Sequence, residues 1–212
     1  MKDLSTFREE YRRDELHEDN IKKDPLQQIE LWLQDAIDNH IIEPNAMCVA
    51  TSTADGRPSI RVVLLKELNK RGFVFFTNYN SRKGKEISAN PHAAIVFDWH
   101  QMERQVRIEG IIEKISEEDS DIYFNSRPHG SKIGAWVSPQ SQVVKGREEL
   151  DKLQLQTEQR FEGDDIPRPP HWGGYILLPT KIEFWQGRPS RLHDRILYTK
   201  TNNHWTIERL AP

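Results

Sequence analysis

Ten residues in three groups carry most of the chemistry open to this sequence: Arg61, Lys66, Arg82 and Lys83; Tyr123, Arg127 and Ser131; Arg191, His193 and Arg195. Between Arg61 and Lys85, seven of 25 residues are Lys or Arg against a single acid, Glu67, in a chain of formal net charge −3. Ser81 is placed to cap a following helix, which puts Arg82 and Lys83 in a first turn where the helix dipole disfavours cations. That placement makes sense if an anion, most simply a phosphate, is held there by the free N–H groups of the turn. The alternative is a solvated strand edge and helix face. Tyr123, Arg127 and Ser131 recur at i, i+4 and i+8, which continuous helix would stack on one face, although Pro128 interrupts it. In R-L-H-D-R, a strand would align Arg191, His193 and Arg195 on one face, with Leu192 and Ile196 toward the core and Asp194 turned away. Three cations in a row repel one another unless an anionic ligand, or acids across the sheet, relieve them. Together the groups suggest two phosphates, or one phosphate and a ring bearing carbonyl oxygens.

Other chemistries lack their signatures. No G-x-G-x-x-G follows a strand and no G-x-x-x-x-G-K-[ST] occurs, so nucleotide folds of those types are unsupported. G-x-S-x-G is missing, and the eight His residues show no H-E-x-x-H or other ligand spacing, so no metal site is expected. Cys48, the single cysteine, lies in an apolar run and reads as an inert core thiol; with no disulfide possible within the chain, a reducing cytoplasm fits. The near-neutral balance argues against generic nucleic-acid binding. No apolar run approaches the roughly 20 residues of a membrane span, and M-K-D-L-S-T-F-R-E-E-Y lacks the apolar core of a signal peptide.

The elements that must position these groups read as strands with helices between them. With 36% hydrophobic and 30% charged residues, the 212-residue chain can bury a real core. Residues 1–23 are charged and aperiodic and read as a mobile arm with one helical turn, on which Arg8 and Tyr11 could share a face; residues 24–212 read as one domain. Asp24-Pro25 starts a helix, and Leu26, Ile29, Trp32, Leu33, Ala36 and Ile37 continue it to about His40. A-M-C-V-A-T-S-T and P-S-I-R-V-V-L-L-K flank the turn 54–57 as a hairpin. The turn Lys70-Arg71-Gly72 would then pair R-V-V-L-L-K with G-F-V-F-F-T as neighbouring strands. A helix over about 82–89, the strand A-A-I-V-F-D-W and the alternating strand R-Q-V-R-I-E-G-I-I-E-K-I follow, the last able to present Gln105 to a ligand. Residues 117–161 are mostly helical. Strands resume as Y-I-L-L, K-I-E-F-W-Q-G, H-D-R-I-L-Y and H-W-T-I-E-R-L, the last two joined across 201–203. Six to eight strands without regular strand–helix alternation predict a mainly β, α+β fold: an antiparallel barrel with helices outside.

Five motifs in order then carry a resemblance. R-V-V-L-L-K, F-F-T-N-Y-N-S-R-K, E-R-Q-V-R-I-E-G, S-R-P-x-x-S-x-I-G-A-W-V-S-x-Q-S and I-E-F-W-Q-G-x-x-x-R-L-H-D-R resemble the pyridoxamine/pyridoxine 5'-phosphate oxidase family over nearly the whole chain. The resemblance implies an antiparallel split β-barrel homodimer with FMN at the subunit interface. It implies oxidation of pyridoxamine and pyridoxine 5'-phosphates to pyridoxal 5'-phosphate, with O2 as acceptor and H2O2 released. By the same resemblance Arg61, Ser81, Arg82 and Lys83 hold the FMN phosphate, with Gln140 and Ser141 coming from the partner. Gln105, Trp185 and Arg195 flank the flavin ring, and Val62, Val63, Leu64, Phe76 and Thr77 line it. Lys66, Tyr123, Arg127 and Ser131 match the substrate-phosphate site, Lys66 also bordering the flavin. Arg191 and His193 match the catalytic pair over the substrate ring, and Arg8 and Tyr11 an N-terminal lid. Phe76 departs from the tyrosine also found in the family, losing a hydroxyl but not the backbone contact. A non-catalytic flavin-binding or flavin-reducing split barrel would lack the 123/127/131 and 191/193 groups, and a nucleic-acid module is at odds with the acidic balance.

Overall fold

The computed structural model describes residues 2–7, 9–163, 165–202 and 204–212. Nine antiparallel strands form one curled sheet, and five α-helices pack around it. The first helix, α1 (Pro25–Asp38), begins where Asp24 accepts the Leu26 N–H at 2.9 Å, with proline at the first helical position. Its buried stripe of Leu26, Ile29, Trp32 and Ala36 faces the sheet, and the Trp32 ring meets Phe184 edge-on at 5.1 Å.

Strands β1 (Ala46–Ser52) and β2 (Pro58–Leu64) form the expected hairpin. β3 (Glu67–Asn69) and β4 (Gly72–Asn78) are joined by the turn at Lys70-Arg71-Gly72. R-V-V-L-L-K and G-F-V-F-F-T are therefore not paired along their lengths as expected. β2 lies against β1, and the chain bends at Leu65-Lys66 before the three-residue β3 pairs with β4. Leu65 N–H bonds Asn45 O at 2.8 Å and Lys66 N–H bonds Val74 O at 2.9 Å. The bend thus joins the two ends of the sheet path β2-β1-β5-β6-β7-β4-β3 and curls it into a split barrel.

After α2 (Arg82–Ala89) come β5 (His92–Trp99) and β6 (Arg104–Lys114), whose Val106, Ile108 and Ile112 point inward while Arg107 and Glu109 face out. α3 (Glu117–Ser126), α4 (His129–Val137) and α5 (Arg147–Arg160) then pack outside the barrel. The two strands expected from Y-I-L-L and K-I-E-F-W-Q-G are one, β7 (Trp172–Gln186). Pro179 does not break it, because it stands opposite Gly110 at a register shift in β6 where a missing ladder donor is tolerated. β8 (Asp194–Thr201) and β9 (His204–Arg209) complete the sheet as a hairpin, bringing the strands to nine against the six to eight expected. Phe73, Phe75, Phe97, Ile108, Ile182, Phe184, Ile196 and Tyr198 fill the barrel; a second cluster of Phe124, Ile133, Phe161, Ile166 and Trp172 lies under α3 and α4.

In residues 2–23 the helical turn is Glu18–Asn20. Tyr11 lies outside it, and Arg8, with which it was expected to share a face, falls outside the described residues. Cys48 sits at an outward position of β1 and is half-buried rather than in the core.

Gly72 carries the closure. Its φ is +155°, and a Cβ there would stand 1.9 Å from Leu177 O. Gly56, at φ +84° in the β1–β2 turn, has open space around it. We expect Gly72→Ala to cost roughly 2–4 kcal/mol and Gly56→Ala about 1 kcal/mol. Urea unfolding midpoints check this, and equal losses would contradict it.

Candidate active site

One buried carboxylate organises the first cation group. Glu86, on the inward face of α2, accepts from Thr51 Oγ1 and Ser59 Oγ at 2.5 Å each, from Arg82 Nε at 2.8 Å and from Arg61 Nη2 at 3.3 Å. Burial alone would raise its pKa, but hydrogen bonds from Ser59, Thr51 and Arg82 outweigh it and hold the carboxyl at about 2. Arg61 also donates to Val49 O at 3.0 Å and Thr51 Oγ1 at 2.6 Å. Burial pushes its guanidinium down, against the attraction of Glu86. Arg82 is mostly exposed and committed to Glu86, and the Ser81 hydroxyl caps the helix on Gly84 N–H at 3.2 Å; neither lines the cleft described next. Much of the charge at this first turn is thus answered from within the chain.

Lys83 is different. Its buried ammonium donates to Thr77 Oγ1 at 2.7 Å and Gln140 Oε1 at 2.8 Å, with no carboxylate partner, and burial followed by repulsion from Arg61 pushes it down to about 8. Gln140 reaches it from the same chain, because the segment after α4 folds back over β4. This corrects the expectation that Gln140 arrives from a partner. Ser141 is exposed, with a left-handed φ of +70°.

Arg61, Val62, Val63, Leu64, Lys66, Phe76, Thr77 and Lys83 line one wall of an open cleft of about 490 Å³; Tyr123, Arg127, Pro128, Ser131, Gln140 and Trp172 line the other. Pro128 does end α3, yet Tyr123, Arg127 and Ser131 converge here from α3, the break and α4. The Phe76 ring stacks on Tyr123 at 3.8 Å and on Trp172 at 5.5 Å, away from the barrel core. Arg127 lies over Trp172 at 4.5 Å, and its Nη1 is buried with no hydrogen-bond partner among the described residues. Burial pushes Arg127 down, only partly offset by Tyr123. Four cations and no carboxylate line this cleft among the described residues. An unanswered buried N–H of this kind costs free energy until an acceptor arrives.

A second cleft, of about 790 Å³, is lined by Tyr11, Gln105, Trp185, Arg188, Arg191 and His193, with Phe7, Glu9, Glu10 and Ser190. Register explains part of it: Gln105, Trp185 and Arg195 stand opposite one another across β6, β7 and β8. Arg195 is bidentate to Glu183, at 2.8 and 3.0 Å, and also donates to Ala211 O at 2.8 Å. Arg191, His193 and Arg195 do not form the expected strand face. β8 begins at Asp194, and Ser190 and Arg191 are both left-handed, at φ +57° and +62°, so the chain turns sharply and leaves Leu192 69% exposed. The Arg188 N–H donates to His193 Nδ1 at 3.1 Å, placing the neutral ring's proton on Nε2. Burial and then Arg191 push the His193 pKa down, opposed by Asp194. The ring lies 4.6 Å from Trp185 and 5.8 Å from Tyr11.

The chain that builds these two clefts is similar to known proteins over its length. The family profile described as pyridoxamine 5'-phosphate oxidase matches residues 33–157, and that of the pyridoxine 5'-phosphate oxidase C-terminal dimerisation region matches 172–212. A pyridoxine/pyridoxamine 5'-phosphate oxidase from Cyanothece sp. is 53% identical over 209 residues, covering 99% of this chain and 98% of its own. One from Salinibacter ruber is 52% identical, with both chains fully covered. The chain belongs to the pyridoxamine 5'-phosphate oxidase family.

Among solved structures, PhzG from Burkholderia lata 383, in complex with tetrahydrophenazine-1-carboxylic acid, superposes with a TM-score of 0.88 at 31% identity, covering 94% of this chain and 98% of that one. An FMN-binding protein related to pyridoxamine 5'-phosphate oxidase, from Nostoc punctiforme, shares the fold at a TM-score of 0.71 and 18% identity, covering 91% of this chain and 100% of that one. The match of residues 172–212 to a dimerisation region indicates that this family member is a homodimer. None of its described helices is long and apolar enough to cross a membrane, and no group of three or more potential metal ligands occurs among the described residues.

Sequence reasoning missed Trp172 and Arg188, which line this family member's clefts, and Glu86, which stands behind the first of them. Glu86 alone had a signal: the acid at i+4 from Arg82. Its depressed pKa fixes a pH dependence. Such a carboxylate contributes stability above its ordinary value of 4.5, and loses it as pH falls through about 2. Glu86→Gln should therefore cost on the order of 3 kcal/mol at neutral pH. The gap from wild type should close between pH 4.5 and 2, and urea unfolding across that range that leaves it constant would refute the assignment.

Proposed function

We propose that this protein oxidises pyridoxine 5'-phosphate and pyridoxamine 5'-phosphate to pyridoxal 5'-phosphate, with FMN as cofactor and O2 as acceptor, releasing H2O2 and, from the amine, ammonia. The observation that carries the reading is Arg127 Nη1, a buried guanidinium N–H without a partner in a cleft lined by cations. Full-length relatives named for this activity support it.

The residues present fit two anionic groups. Lys83, Arg61 and the Thr77 hydroxyl suit the FMN phosphate, with Ser81 and Arg82 behind them and Gln140 and Ser141 at the mouth. The free outer edge of β2 at Val62–Leu64, beside Phe76 and Thr77, offers backbone groups to the polar rim of a flavin. Lys66, Tyr123, Arg127 and Ser131 suit the substrate phosphate. Bound FMN supplies a two-electron acceptor. The protein's own work is placement: Arg127 and Lys66 fix the phosphate end, while Arg191 and neutral His193, with its Nε2–H, orient the ring end. Tyr11 would wall that end, and the family resemblance adds Arg8, outside the described residues, as a lid residue.

The same placement argues for two subunits per site. Trp172 lines the cation cleft and Trp185 the other, thirteen residues apart on β7. At about 3.3 Å per residue that is roughly 40 Å along the strand, too far for one flavin and one substrate to bridge. We assign Gln105, Trp185, Arg191, His193 and Arg195 to the site completed by the other copy's cation cleft, so that FMN lies at the interface of a homodimer.

The purified protein should be yellow, with one FMN per chain. Arg127→Ala should leave flavin affinity unchanged and raise KM tenfold to a hundredfold, the effect of losing about 1.5–3 kcal/mol of charge-assisted contact. Lys83→Ala should weaken FMN first, with activity restored by excess FMN, and Arg191→Ala should lower kcat as well as kcat/KM. Steady-state oxidation and flavin fluorescence quenching read all three. Loss of flavin in Arg127→Ala with flavin retained in Lys83→Ala would reverse the two anion sites.

A further inference from the structure

The segment that carries Tyr11 is fastened to the barrel by residues that no part of the proposed chemistry uses. Arg104, at the start of β6 and 10% exposed, donates to Asp14 at 2.5 Å, to Asp35 of α1 at 2.9 Å and to Gln186 at 2.8 Å, with its guanidinium 4.6 Å over Trp32. One cation thus ties the N-terminal segment, α1 and the end of β7 together. Next to it, Arg13 N–H donates to Glu103 at 3.0 Å, and its guanidinium reaches Gln101 O at 2.7 Å and Asn39 at 2.6 Å. Arg188 pairs with Glu15 at 3.0 Å, and Leu16 is buried, with its N–H on Asp194 at 3.0 Å.

The seat for the ring itself is a missing side chain. Gly187, directly after β7, bonds its N–H to Glu103 O at 2.7 Å. A Cβ on Gly187 would stand 2.8 Å from Tyr11 Cγ, 2.9 Å from Tyr11 Cβ and 2.9 Å from Glu103 Cβ. Real Cβ atoms essentially never come so close, and the Tyr11 atoms concerned lie at the root of the side chain, so the residue as a whole, backbone included, must shift from its seat. Seated on Gly187, the Tyr11 ring meets Trp185 edge-on at 5.8 Å and His193 at 5.8 Å.

We propose that Gly187 and the Arg104–Asp14 clasp are positioning residues for substrate: they hold Tyr11 against Trp185 and His193 and so form one wall of the substrate site. This rests on the oxidase reading above for its kinetic consequence, but not for its structural one. A ring held in place before substrate arrives adds contact without an ordering cost at binding. The seat therefore acts on substrate affinity, and the reacting end stays with Arg191 and His193.

Limited trypsin digestion of the full-length, flavin-loaded protein tests the seat without reference to turnover. Cleavage after Arg12 and Arg13 should quicken on the order of tenfold in Gly187→Ala, as expected when opening of the segment becomes easier by about 1.4 kcal/mol. Asp14→Asn, at a half-exposed residue that leaves Asp35 on Arg104, should quicken it severalfold; this variant decides the matter if Gly187→Ala folds poorly. Kinetically, Gly187→Ala should raise KM for pyridoxine 5'-phosphate about tenfold with kcat within about twofold. In a Tyr11→Ala background it should add nothing further, since the two changes share one interaction. Wild-type cleavage rates in both variants would overturn the seat. So would a Gly187→Ala effect on KM that persists undiminished without Tyr11. A wild-type protein that retains FMN but does not turn over would sink the oxidase reading instead, while the digestion rates still decide the seat.

Discussion

β7 is the strand on which the rest of the structure depends. Over 15 residues it pairs with β4 through its first half, with β8 through its second, and with β6 nearly throughout. A strand with neighbours on both edges over most of its length cannot bend sharply there without losing ladder hydrogen bonds, and each unpaired buried group is costly. The one relief is at Pro179, where the partner on one edge changes and the register with β6 shifts at Gly110. Rigidity of this kind holds Trp172 and Trp185 apart. The two clefts of one chain cannot close on each other, and symmetry then offers the economical way to complete both, since a two-fold axis completes two sites with one interface.

Charge is handled differently at the two ends. At the cation cleft Arg61, and behind it Arg82, are answered by Glu86, a buried acid whose own hydrogen bonds keep it ionised. Lys83 and Arg127 are left with neutral or aromatic neighbours. Depressed pKa values and an unpartnered N–H among the described residues are costs that an anion bound there would relieve. At the other cleft Arg195 is saturated by Glu183 and Ala211 O, which makes it a rigid flank rather than a free cation. Burial and Arg191 push His193 toward its neutral form, and a backbone N–H fixes its tautomer within a turn of two left-handed residues, Ser190 and Arg191. Such backbone strain persists where the surroundings over-determine it, as Pro189 and the Arg188–Asp194 pair do here.

What could be read from the sequence was local. Asp24-Pro25 and Ser81 announced their helices because a cap and its first turn lie within four residues, and 201–203 announced the β8–β9 hairpin. The four cations of the first cleft were also legible, since like charges with few acids around them in sequence need a reason. Pairing was legible only where a hairpin turn marked it. The Lys70-Arg71-Gly72 turn served the three-residue β3, while β2 stayed with its hairpin partner β1. Period-two alternation placed Leu192 inward because nothing in R-P-S-R-L-H marks two successive left-handed residues. Gln140 was assigned to a partner and lies on its own chain's Lys83, since the fold-back after α4 has no periodic signal. Trp172 could not be told from a core tryptophan until Arg127 was seen over its face.

That each site takes its halves from two chains is tested most directly by mixing impaired subunits. At substrate concentrations well below the wild-type KM, Arg127→Ala would leave every cation cleft nearly idle and Arg191→Ala every ring-orienting cleft. In dimers formed by co-folding equal amounts of the two variants, half of the population should be mixed, and each mixed dimer should hold one site with both halves intact. Activity in the mixture should then rise well above either variant alone, to about a quarter of wild type for random pairing. If both halves instead came from the same chain, no pairing of these variants could assemble an intact site, and the mixture would show only the mean of the two parents.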